Sequence, residues 1–506
     1  MLQITSVAQI QAFDRALDRQ GQTVLYVERA AHALLDACRP DAPVAIVCGG
    51  GNNGADGYAL GCLLAARGIS CHIFRCSAHF SAVGHIFYEQ ACNAGIPNAL
   101  CAEQTDLSPY AQIVDCIFGT GFAGDPRGVA ASMIRRINQA AERGAYVLSA
   151  DVPSGLNAEN GIANLCVCAD RTVALGGYKP GHFLKQAHAV CGKLTCDTLG
   201  ICLPHVAFLP QREDYLSWIP DRAADTHKGS YGTVCILGGS RRYTGAPKLA
   251  NLAQSALRSG CGISRLCVPN SLTDAVAPLL LESTLYPMPE RDGQMCFDEQ
   301  ALMGALQGAV ACAVGMGWGS SPEYEKILDF LLQQPSLRLI IDADGLNTLA
   351  RMDLSVLSRA AAQVVLTPHP MEFQRLSGVA VDDILQAPLT QAAAFAAQHG
   401  CTVLLKGSTT TVTDGHTTYL VNRGTSGMAT AGSGDVLSGA LCGLCGFMPA
   451  NVQTAALGAY LCGTAGELAA AHLSEYAMLA SDTATFLPKA FEQLLQVQHN
   501  KRRMLQ

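Results

Sequence analysis

Short apolar runs alternate with helical patterns along the first half of the chain. Three segments share one plan, an apolar run followed by a polar or glycine-rich loop: APVAIVCGGGNNGADG, AQIVDCIFGTGFAGD and GAYVLSADVPSG. The first predicts a strand ending at Cys48, a glycine-rich loop, and a helix from about Tyr58 to Arg67. Repetition of this order predicts a parallel, doubly wound sheet. Since loops after parallel strands gather at one edge, we expect the three loops to face a single ligand.

A second series of strands follows a break in the pattern. Residues 204–225 are rich in prolines, charges and aromatic residues, and we place a domain boundary there, giving domains 1–210 and 211–506. The later apolar runs are YGTVCILGGS, AVACAVGMGWG, LRLIIDADGLN, AQVVLTPHP and CTVLLKGSTT. TVTDGHTTYLV places two β-rich runs about an Asp-Gly turn and predicts a hairpin. The sequence therefore predicts a two-domain α/β protein.

Composition agrees with a soluble protein that has two buried cores. The chain has 506 residues, of which 49% are hydrophobic and 15% charged. A net charge of -7 argues against nucleic acid as a partner, because phosphate neutralisation needs basic patches. The uncharged stretch from Val436 to Gly466 contains Pro449 and glycines, which favours two buried helices over a membrane span. We expect a cytoplasmic homo-oligomer with no signal peptide.

The 22 cysteines lie in apolar segments, without the regular framework of a small secreted domain. We expect buried free thiols in a reducing compartment. Cys442 and Cys445 form a C-x-x-C, which we interpret as packing within an alanine- and glycine-rich helix. A zinc or redox site is disfavoured because no second pair follows at zinc spacing.

Candidate chemistry in the second half centres on Asp435. This carboxylate follows Gly432 and Gly434 at the start of a helix, where free N–H groups favour a phosphate. Lys406 ends a strand and opens KGSTT, so lysine and glycines together could clamp a nucleotide phosphate, although no P-loop is present. Asp435 beside that clamp could accept the proton of an attacking hydroxyl. The alternative is a helix-capping aspartate.

Two further loops of the second half are candidates for ligand contact. His369 lies between two prolines directly after a strand, and we expect it to contact substrate. The glycines of GMGWG, Gly315 to Gly319, allow close backbone approach to a ligand. The alternative for the glycines is a tight turn between strand and helix.

The loops of the first half carry amides and carboxylates. GGGNNGADG is not the dinucleotide fingerprint G-x-G-x-x-G, since two asparagines stand where that loop has bare backbone. Asn52 and Asn53 can donate and accept hydrogen bonds, and Asp56 suits a ribose hydroxyl. Asp115 and Asp151 follow in the next two loops. Turn chemistry explains any one of these loops, but three at one edge indicate a site.

Residues 225–440 resemble the ribokinase-like dehydratase of the repair system for hydrated NADH and NADPH, NAD(P)HX. The matching segments are THKGSYGTVCILGGS, YTGAPKLANLAQSALRSGCG, VGMGWG, DADGLN, TPHPMEF, KGSTT and GMATAGSGDVLSG. The resemblance implies phosphorylation of the hydrate's hydroxyl by ADP in bacteria, with Mg²⁺, then phosphate loss; Asp435 would be the base. Implied hydrate ligands are Ala246, Gly317, His369 and Asp435. Implied ADP ligands are Lys406, Gly407, Ser408, Thr409, Thr410 and Gly434.

Residues 5–205 resemble the NAD(P)HX epimerase domain, through the three loops, VLYVERAAHALLD and VALGGYKPGHFLKQAHAVCGKLTCDTLGI. The resemblance implies a Rossmann-like domain in which K⁺ is bound by Asn53, Asp115 and Ser154, with Asp151 as the catalytic acid/base. Implied hydrate ligands are Asn52, Asn53, Gly54, Ala55, Asp56, Gly119, Thr120, Gly121, Phe122, Ala123, Gly124, Asp125 and Asp151. The family commonly has NNGGDG, so Ala55 replaces a glycine. If this position requires a positive φ, alanine would strain the loop and impair epimerisation.

The sequence thus predicts a bifunctional repair enzyme whose first half epimerises R and S hydrates and whose second half converts the S form to NAD(P)H. Three other interpretations stay open. The second half could be a kinase for a hydroxymethylpyrimidine or thiazole alcohol. The first half could be a noncatalytic nucleotide-binding module. A dehydrogenase is disfavoured because a standard dinucleotide fingerprint is missing.

Overall fold

The computed structural model describes residues 1–39, 43–251 and 257–504, with side chains up to 496. The chain forms two compact units, Leu2–Val206 and one that begins at Ala207. We call them the N-terminal and C-terminal units. The division falls four residues before the predicted end of the first domain at residue 210. Residues 252–256, within YTGAPKLANLAQSALRSGCG, lie outside the described residues.

A parallel sheet with strand order β4-β3-β2-β5-β6-β7-β8 forms the centre of the N-terminal unit. A short strand, β1 (Leu2–Ile4), precedes the strands of this sheet in the sequence and is not part of it. The strands of the sheet are β2 (Val44–Cys48), β3 (Cys71–Arg75), β4 (Asn98–Leu100), β5 (Gln112–Cys116), β6 (Tyr146–Ala150), β7 (Arg171–Leu175) and β8 (Lys193–Asp197). Its helices are α1 (Val7–Gln20), α2 (Thr23–Ala37), α3 (Asn52–Ala66), α4 (Ala82–Asn93), α5 (Gly128–Glu142) and α6 (Ala187–Val190).

Helices cover both faces of this sheet. All five residues of β2 are buried, and since successive side chains of a strand point to opposite faces, both faces must be covered. Ile46 packs in the core that contains Leu60 of α3, and Val47 packs in the core that contains Ile134 of α5. The predicted doubly wound sheet is therefore confirmed. The strand order reverses between β2 and β5, and the loops after these two strands open a crevice at that point.

Helix α3 begins at Asn52, six residues before the predicted start at Tyr58. The sequence NNGADG was interpreted as loop because of its glycines, but it forms the first turns of the helix. Gly54 is there for packing: a Cβ at this residue would lie 2.1 Å from the carbonyl oxygen of Gly49. Close approach between the helix and the preceding loop thus outweighs the low helix propensity of glycine.

The C-terminal unit contains a larger mixed sheet with strand order β9-β20-β19-β18-β17-β16-β15-β10-β11-β12. Strands β10 to β12 and β15 to β18 pair in parallel, and β18, β19 and β20 pair antiparallel. The strands are β9 (Ala207–Leu209), β10 (Thr233–Leu237), β11 (Ile263–Pro269), β12 (Thr284–Met288), β15 (Ala309–Val314), β16 (Arg338–Ile341), β17 (Gln363–Leu366), β18 (Thr402–Leu405), β19 (Thr410–Thr413) and β20 (Thr418–Val421), beside a two-stranded ribbon of β13 (Glu290–Arg291) and β14 (Gln294–Met295).

Helices pack on both faces of the second sheet as well. They are α7 (Arg212–Trp218), α8 (Gly245–Asn251), α9 (Thr273–Val276), α10 (Glu299–Leu306), α11 (Glu323–Leu332), α12 (Asp344–Leu349), α13 (Ser355–Ser358), α14 (Pro370–Ser377), α15 (Val381–Gln386), α16 (Pro388–His399), α17 (Ser433–Leu444), α18 (Val452–Leu473) and α19 (Ala480–Met504). Ile236 of β10 packs with Leu441 of α17, and Leu237 packs with Leu328 of α11.

The uncharged stretch forms the two buried helices α17 and α18, as predicted. No helix in the described part of the chain is long and apolar enough to cross a membrane. The hairpin predicted from TVTDGHTTYLV is confirmed as β19 and β20. All 22 cysteines are free, and both Cys442 and Cys445 are buried.

Candidate active sites

A cavity of about 470 Å³ opens at the carboxyl edge of the N-terminal sheet, beside the point where strand order reverses. The loops after β2, β5 and β6 line it together with α1 and α2. The predicted ligands in its lining are Asn52, Asn53, Asp56, Gly119, Thr120, Gly121, Phe122 and Asp151. The three loops therefore face one space, as the strand pattern predicts.

Five other predicted ligands do not line this cavity in the described structure: Gly54, Ala55, Ala123, Gly124 and Asp125. Gly54 packs against the loop after β2. Ala55 is fully buried within α3. The Oδ1 atom of Asp125 accepts a hydrogen bond from Nδ2 of Asn164 at 2.9 Å, on the protein surface. Ligand contact by these five residues stays a prediction, and the structure places the other eight predicted ligands in the lining of the cavity.

Asp151 is held rigidly directly after β6. Its φ of 65° is in the left-handed region, which is uncommon for aspartate. Oδ2 accepts hydrogen bonds from the N–H of Thr120 at 2.9 Å and from its Oγ1 at 2.5 Å. Oδ1 accepts one from the N–H of Leu175 at 3.2 Å and forms an ion pair with Nζ of Lys179. Both carboxylate oxygens are therefore engaged by donors.

Lys179, which sequence reasoning left unassigned, is the charge partner of Asp151. Its side chain is 0% exposed, and Nζ also donates to the carbonyl oxygen of Leu175 at 2.7 Å. Burial by itself would raise the pKa of Asp151, but the charge and hydrogen bonds of Lys179 outweigh it and lower that pKa. These surroundings favour the ionised form of the Asp151 carboxylate, and its acid/base role stays a prediction.

His182 fixes the backbone of Asp151. Its Nδ1 accepts a hydrogen bond from the N–H of Lys179 at 3.0 Å, so its Nε2 donates to the carbonyl oxygen of Asp151 at 2.8 Å. Burial lowers the pKa of His182 to about 4. A neutral imidazole with a defined tautomer therefore helps to stabilise the unusual backbone conformation of Asp151.

The three predicted potassium ligands differ in how they are bonded. Asp115 is buried and accepts hydrogen bonds from Ser154, at 2.6 Å from Oγ and 2.9 Å from N–H. Asn53 is different, because its amide oxygen and nitrogen are both buried without a partner among the described residues. A Cβ at Gly119 would lie 3.4 Å from Oδ1 of Asn53. An unpartnered buried amide oxygen is compatible with a hard cation that prefers oxygen ligands.

Two more carboxylates belong to the cavity. Asp14, on α1, lines it, and so does Asp56. Desolvation and the charge of Asp151 raise the pKa of Asp14 to about 6. Desolvation, with Asp151 and Asp14 nearby, raises the pKa of Asp56 well above its usual value. Sequence reasoning missed Asp14, because an aspartate on an amphipathic helix gives no signal that distinguishes it from a solvated one.

Ala55 does not strain the loop. It lies in the first turns of α3, where the backbone is right-handed and alanine is the most favourable residue. The expectation of a positive φ was therefore wrong, because NNGADG is helix and not loop.

Replacing Ala55 by glycine is expected to lower the free energy of unfolding by about 1 kcal/mol and to leave the rate of R-to-S epimerisation unchanged. Urea unfolding and an epimerisation assay check this. Ala59→Gly on the same helix is the matched control and should lose similar stability. Faster epimerisation by Ala55→Gly would restore the interpretation of a strained loop.

In the C-terminal unit, Lys406 at the end of β18 is paired with acidic side chains. Its Nζ lies 2.9 Å from Oδ1 of Asp342 and 3.7 Å from Oε2 of Glu372. Asp342 also accepts a hydrogen bond from Oγ of Ser438 at 2.8 Å. Burial opposes the charge of Lys406, but Asp342 and Glu372 outweigh it and raise its pKa. Lys406 is therefore a fixed cation, positioned by two residues that the sequence did not identify.

Asp435 lies in the first turn of α17, close to this cation. A Cβ at Gly434 would lie 3.4 Å from Nζ of Lys406, so the first turn of the helix lies directly beside the lysine. Within the described structure, no hydrogen-bond donor reaches the carboxylate of Asp435. Desolvation and the charge of Asp342 raise its pKa to about 7. The N-cap residue of α17 is Gly432, which offers no side-chain cap, so the first N–H groups stay available to an anion.

His369 directly precedes α14 and caps its N-terminus. Its Nδ1 accepts hydrogen bonds from the N–H groups of Met371 and Glu372 at 3.2 and 3.4 Å. Its Nε2 lies 3.4 Å from Oε1 of Glu372, and its side chain is 46% exposed. Contact of His369 with substrate stays a prediction. The structure adds a role that the sequence did not predict, the capping of α14.

Gly317, in the loop after β15, lies against Ala246 at the start of α8. Its φ is 68°, and a Cβ there would lie 3.1 Å from that of Ala246 and 2.9 Å from that of Tyr243. These loops follow β10 and β15, where the order of the second sheet reverses. An open cavity of about 540 Å³ adjoins them and is lined by Arg241, Arg242 and Arg351 among others. Arginines at such a cavity favour anionic groups.

The remaining predicted nucleotide ligands, Gly407, Ser408, Thr409 and Thr410, form the connection between β18 and β19, with Thr410 as the first residue of β19. This connection follows Lys406 directly. The structure therefore brings together the lysine and the hydroxyl-bearing turn that the sequence grouped as a phosphate clamp.

Ala343, between Asp342 and Asp344, has a φ of 49° and a ψ of -120°. This conformation is strained for any residue with a Cβ. It turns the chain sharply after β16, so that Oδ2 of Asp344 accepts a hydrogen bond from the N–H of Gly319 at 2.7 Å. Nothing in the sequence indicated strain at this alanine.

Replacing Ala343 by glycine is expected to raise the free energy of unfolding by about 1 kcal/mol, because glycine adopts this conformation without strain. Urea unfolding of the full chain measures it. Ala350→Gly, at the end of the same helix with a φ of -64°, is the control and should lose stability. An equal decrease in the free energy of unfolding in both variants would contradict the claim that the backbone at Ala343 is strained.

The fold and the two sites define a class of two-domain α/β protein, in which each domain gathers carboxylates and a lysine paired with an aspartate at the carboxyl edge of its sheet. Residues 234–489 match a family model described as NAD(P)H-hydrate dehydratase, and residues 20–181 match one described as YjeF-related protein N-terminus. A ribokinase-like superfamily protein from Enterococcus faecalis V583 has a similar structure, with a TM-score of 0.50 and 25% identity, over 58% of this chain and 98% of that chain.

Curated relatives match both units together. A bifunctional NAD(P)H-hydrate repair enzyme from Moorella thermoacetica is 34% identical, over 89% of this chain and 88% of the relative. One with the same description from Thermofilum pendens is 31% identical, over 89% and 87%. This chain belongs to the family of bifunctional NAD(P)H-hydrate repair enzymes, and its ribokinase-like second domain agrees with the fold that the sequence resemblance implied.

Proposed function

We propose that the N-terminal unit interconverts the R and S forms of hydrated NADH and NADPH, and that the C-terminal unit dehydrates the S form at the expense of ADP, giving AMP and phosphate. Family membership supports the pair of activities. The observation that carries the dehydratase assignment is the carboxylate of Asp435, which has no hydrogen-bond donor in the described structure and lies beside Lys406 at the start of α17. A base and a phosphate-binding cation thus lie together.

In the proposed dehydration, Asp435 accepts the proton of the hydrate's hydroxyl while that oxygen attacks the terminal phosphoryl group of ADP. Lys406 and the N–H groups at the start of α17 stabilise charge on the phosphoryl oxygens. The connection from Gly407 to Thr410 binds the nucleotide. The ester then loses phosphate from one ring carbon and a proton from the neighbouring carbon, which the departing phosphate takes up. This leaves NAD(P)H, AMP and hydrogen phosphate, and Asp435 releases the hydroxyl proton to water.

The remaining predicted ligands fit around this centre. Ala246 and Gly317 would let the hydrated ring approach the backbone closely, and His369 would contact it from the start of α14. Mg²⁺, when bound with the nucleotide, would neutralise phosphate charge. No cluster of three acidic, histidine or cysteine side chains suited to a metal occurs among the described residues, so we assign it no protein ligands.

In the N-terminal unit we place the hydrated ring in the cavity beside Asp151. An ionised carboxylate there stabilises positive charge on the ring as the hydroxyl departs. Asn53, Asp115 and Ser154 would hold K⁺, and the unpartnered amide of Asn53 supports this assignment. The cation would then link the start of α3, the end of β5 and the loop after β6.

Product analysis with purified S-NADHX tests the dehydratase. With ADP, we expect recovery of NADH absorbance and one AMP and one phosphate for each NADH. ATP in place of ADP tests nucleotide choice. A stable phosphorylated alcohol without NADH would overturn the assignment and favour a kinase for another alcohol.

A further inference from the structure

Asp151 is poorly suited to donate a proton in the cavity of the N-terminal unit, because both of its carboxylate oxygens accept hydrogen bonds. Thr120 occupies one carboxylate oxygen with two donors, and Leu175 and Lys179 occupy the other. Protonation of Asp151 would break at least one of these bonds and leave Lys179 buried without its counter-charge. Yet departure of a hydroxyl group from the hydrated ring needs a proton, because hydroxide leaves poorly.

Two carboxylates in the same cavity are free to carry that proton. No hydrogen-bond donor in the described ranges reaches the side chain of Asp14 or Asp56. They differ in access to water: Asp56 is buried on α3, at 8% exposure, whereas Asp14 on α1 lines the cavity and is exposed to solvent. A group that must exchange its proton in every turnover needs such access.

We propose that Asp14 is the proton donor and acceptor of the epimerisation, and that Asp151 stays ionised as a fixed counter-charge. This proposal rests on the proposed epimerase function. Asp14 gives its proton to the hydroxyl oxygen as the C–O bond breaks, the electron pair leaves with the oxygen as water, and the ring nitrogen donates its lone pair to form a C=N cation. Water then adds to the opposite face of the ring carbon, and the carboxylate of Asp14 takes up the released proton.

The charges around Asp14 suit this role. Desolvation comes first among the causes that raise its pKa to about 6, followed by repulsion from Asp151; attraction by Lys179 opposes them. On its own helix Asp18 raises the pKa and Arg15 lowers it, and Asp56 faces it across the cavity. A donor with a pKa close to the working pH is efficient, because both protonation states are populated.

The test compares Asp14→Asn with Asp18→Asn, a change one helical turn away on an exposed residue. Full-length protein is supplied with R-NADHX, and R-to-S conversion is followed above the spontaneous rate. We expect Asp14→Asn to lose about a hundredfold or more in epimerisation rate, with hydrate affinity and dehydration of S-NADHX retained. Asp18→Asn should keep the low-pH rate of the unchanged protein, with the fall in rate beginning at a slightly lower pH because Asp18 raises the pKa of Asp14. Asp14→Glu should recover part of the rate.

A pH profile separates proton transfer from a structural effect. The epimerisation kcat/KM of the unchanged protein should fall about tenfold per pH unit above about 6, because the protonated form of Asp14 starts the reaction. The residual activity of Asp14→Asn should lack this fall. Wild-type-like epimerisation by Asp14→Asn, or loss only in Asp56→Asn, would overturn the proposal. An unchanged protein without epimerase activity would instead overturn the proposed function.

Discussion

Replacing Asp435 by asparagine is expected to slow dehydration of S-NADHX by about a thousandfold, since the variant cannot accept the hydroxyl proton. The replacement has the same shape, and Lys406 keeps its partners Asp342 and Glu372, so the Michaelis constant for ADP should change little. The measurement is the initial rate of NADH formation at saturating ADP. Asp353→Asn, an exposed change in the same unit, is the control. Near-normal turnover by Asp435→Asn would exclude this residue as the base.

The same substitution has a predicted pH signature. Because the pKa of Asp435 is about 7 and the ionised form is the base, dehydration by the unchanged protein should rise with pH up to about 7 and then level off. This is opposite in sign to the dependence expected of Asp14 in the N-terminal unit. Asp435→Asn should show no such rise.

Stability should also change with Asp435→Asn. A carboxyl whose pKa is raised on folding binds its proton more tightly in the folded state, so it stabilises the fold at low pH and that contribution is lost as pH rises towards about 7. Removal of the charge is therefore expected to stabilise the protein above pH 7 by about 1 to 3 kcal/mol. Thermal unfolding at pH 8 and pH 5 measures the difference.

Replacing Lys179 by methionine is expected to be the most destabilising single change, by about 3 to 5 kcal/mol. It leaves the buried carboxylate of Asp151 without its counter-charge, while methionine fills a similar volume. Epimerisation should be lost as well, because Asp151 would protonate and no longer stabilise a cation. Thermal unfolding of the full chain at pH 7 and the R-to-S assay give the two readouts.

The double variant Lys179→Met with Asp151→Asn is the control for this prediction. Removing both charges should recover much of the stability, since neither group is then buried unpaired. Epimerisation should not recover. A Lys179→Met protein as stable as the unchanged one would contradict the claim that the ion pair between Lys179 and Asp151 stabilises the fold.

Apolar runs predicted most of the sheet strands, because fully buried parallel strands are read directly from hydrophobic segments. The loops that follow these strands were also located correctly, since strand order decides which edge they share. The start of α3 was not, because the glycines of NNGADG serve packing and not a turn: Gly54 lies against Gly49, and Gly57 lies against Cys48 and Cys116. Packing, which a single sequence does not display, decided that element.

The candidate sites show the same division. Asp151 and Lys406 stand at the ends of apolar strands, and Asp435 follows glycines at the start of a helix, so all three were identified from position. Asp14 was missed, because its relation to Asp151 depends on how α1 lies over the sheet. Lys179 and Asp342 were missed because ion pairs join residues distant in the sequence. The strain at Ala343 was not predicted, because it comes from a backbone conformation that alanine rarely adopts and that the sequence therefore does not indicate.

The most direct test supplies the full chain with a mixture of R- and S-NADHX and ADP, and follows NADH absorbance to completion. We predict that both epimers are converted, the R form faster than its spontaneous inversion allows, and that Asp435→Asn slows NADH formation by about a thousandfold. No NADH with either ADP or ATP would contradict the assignment of this chain as a working repair enzyme.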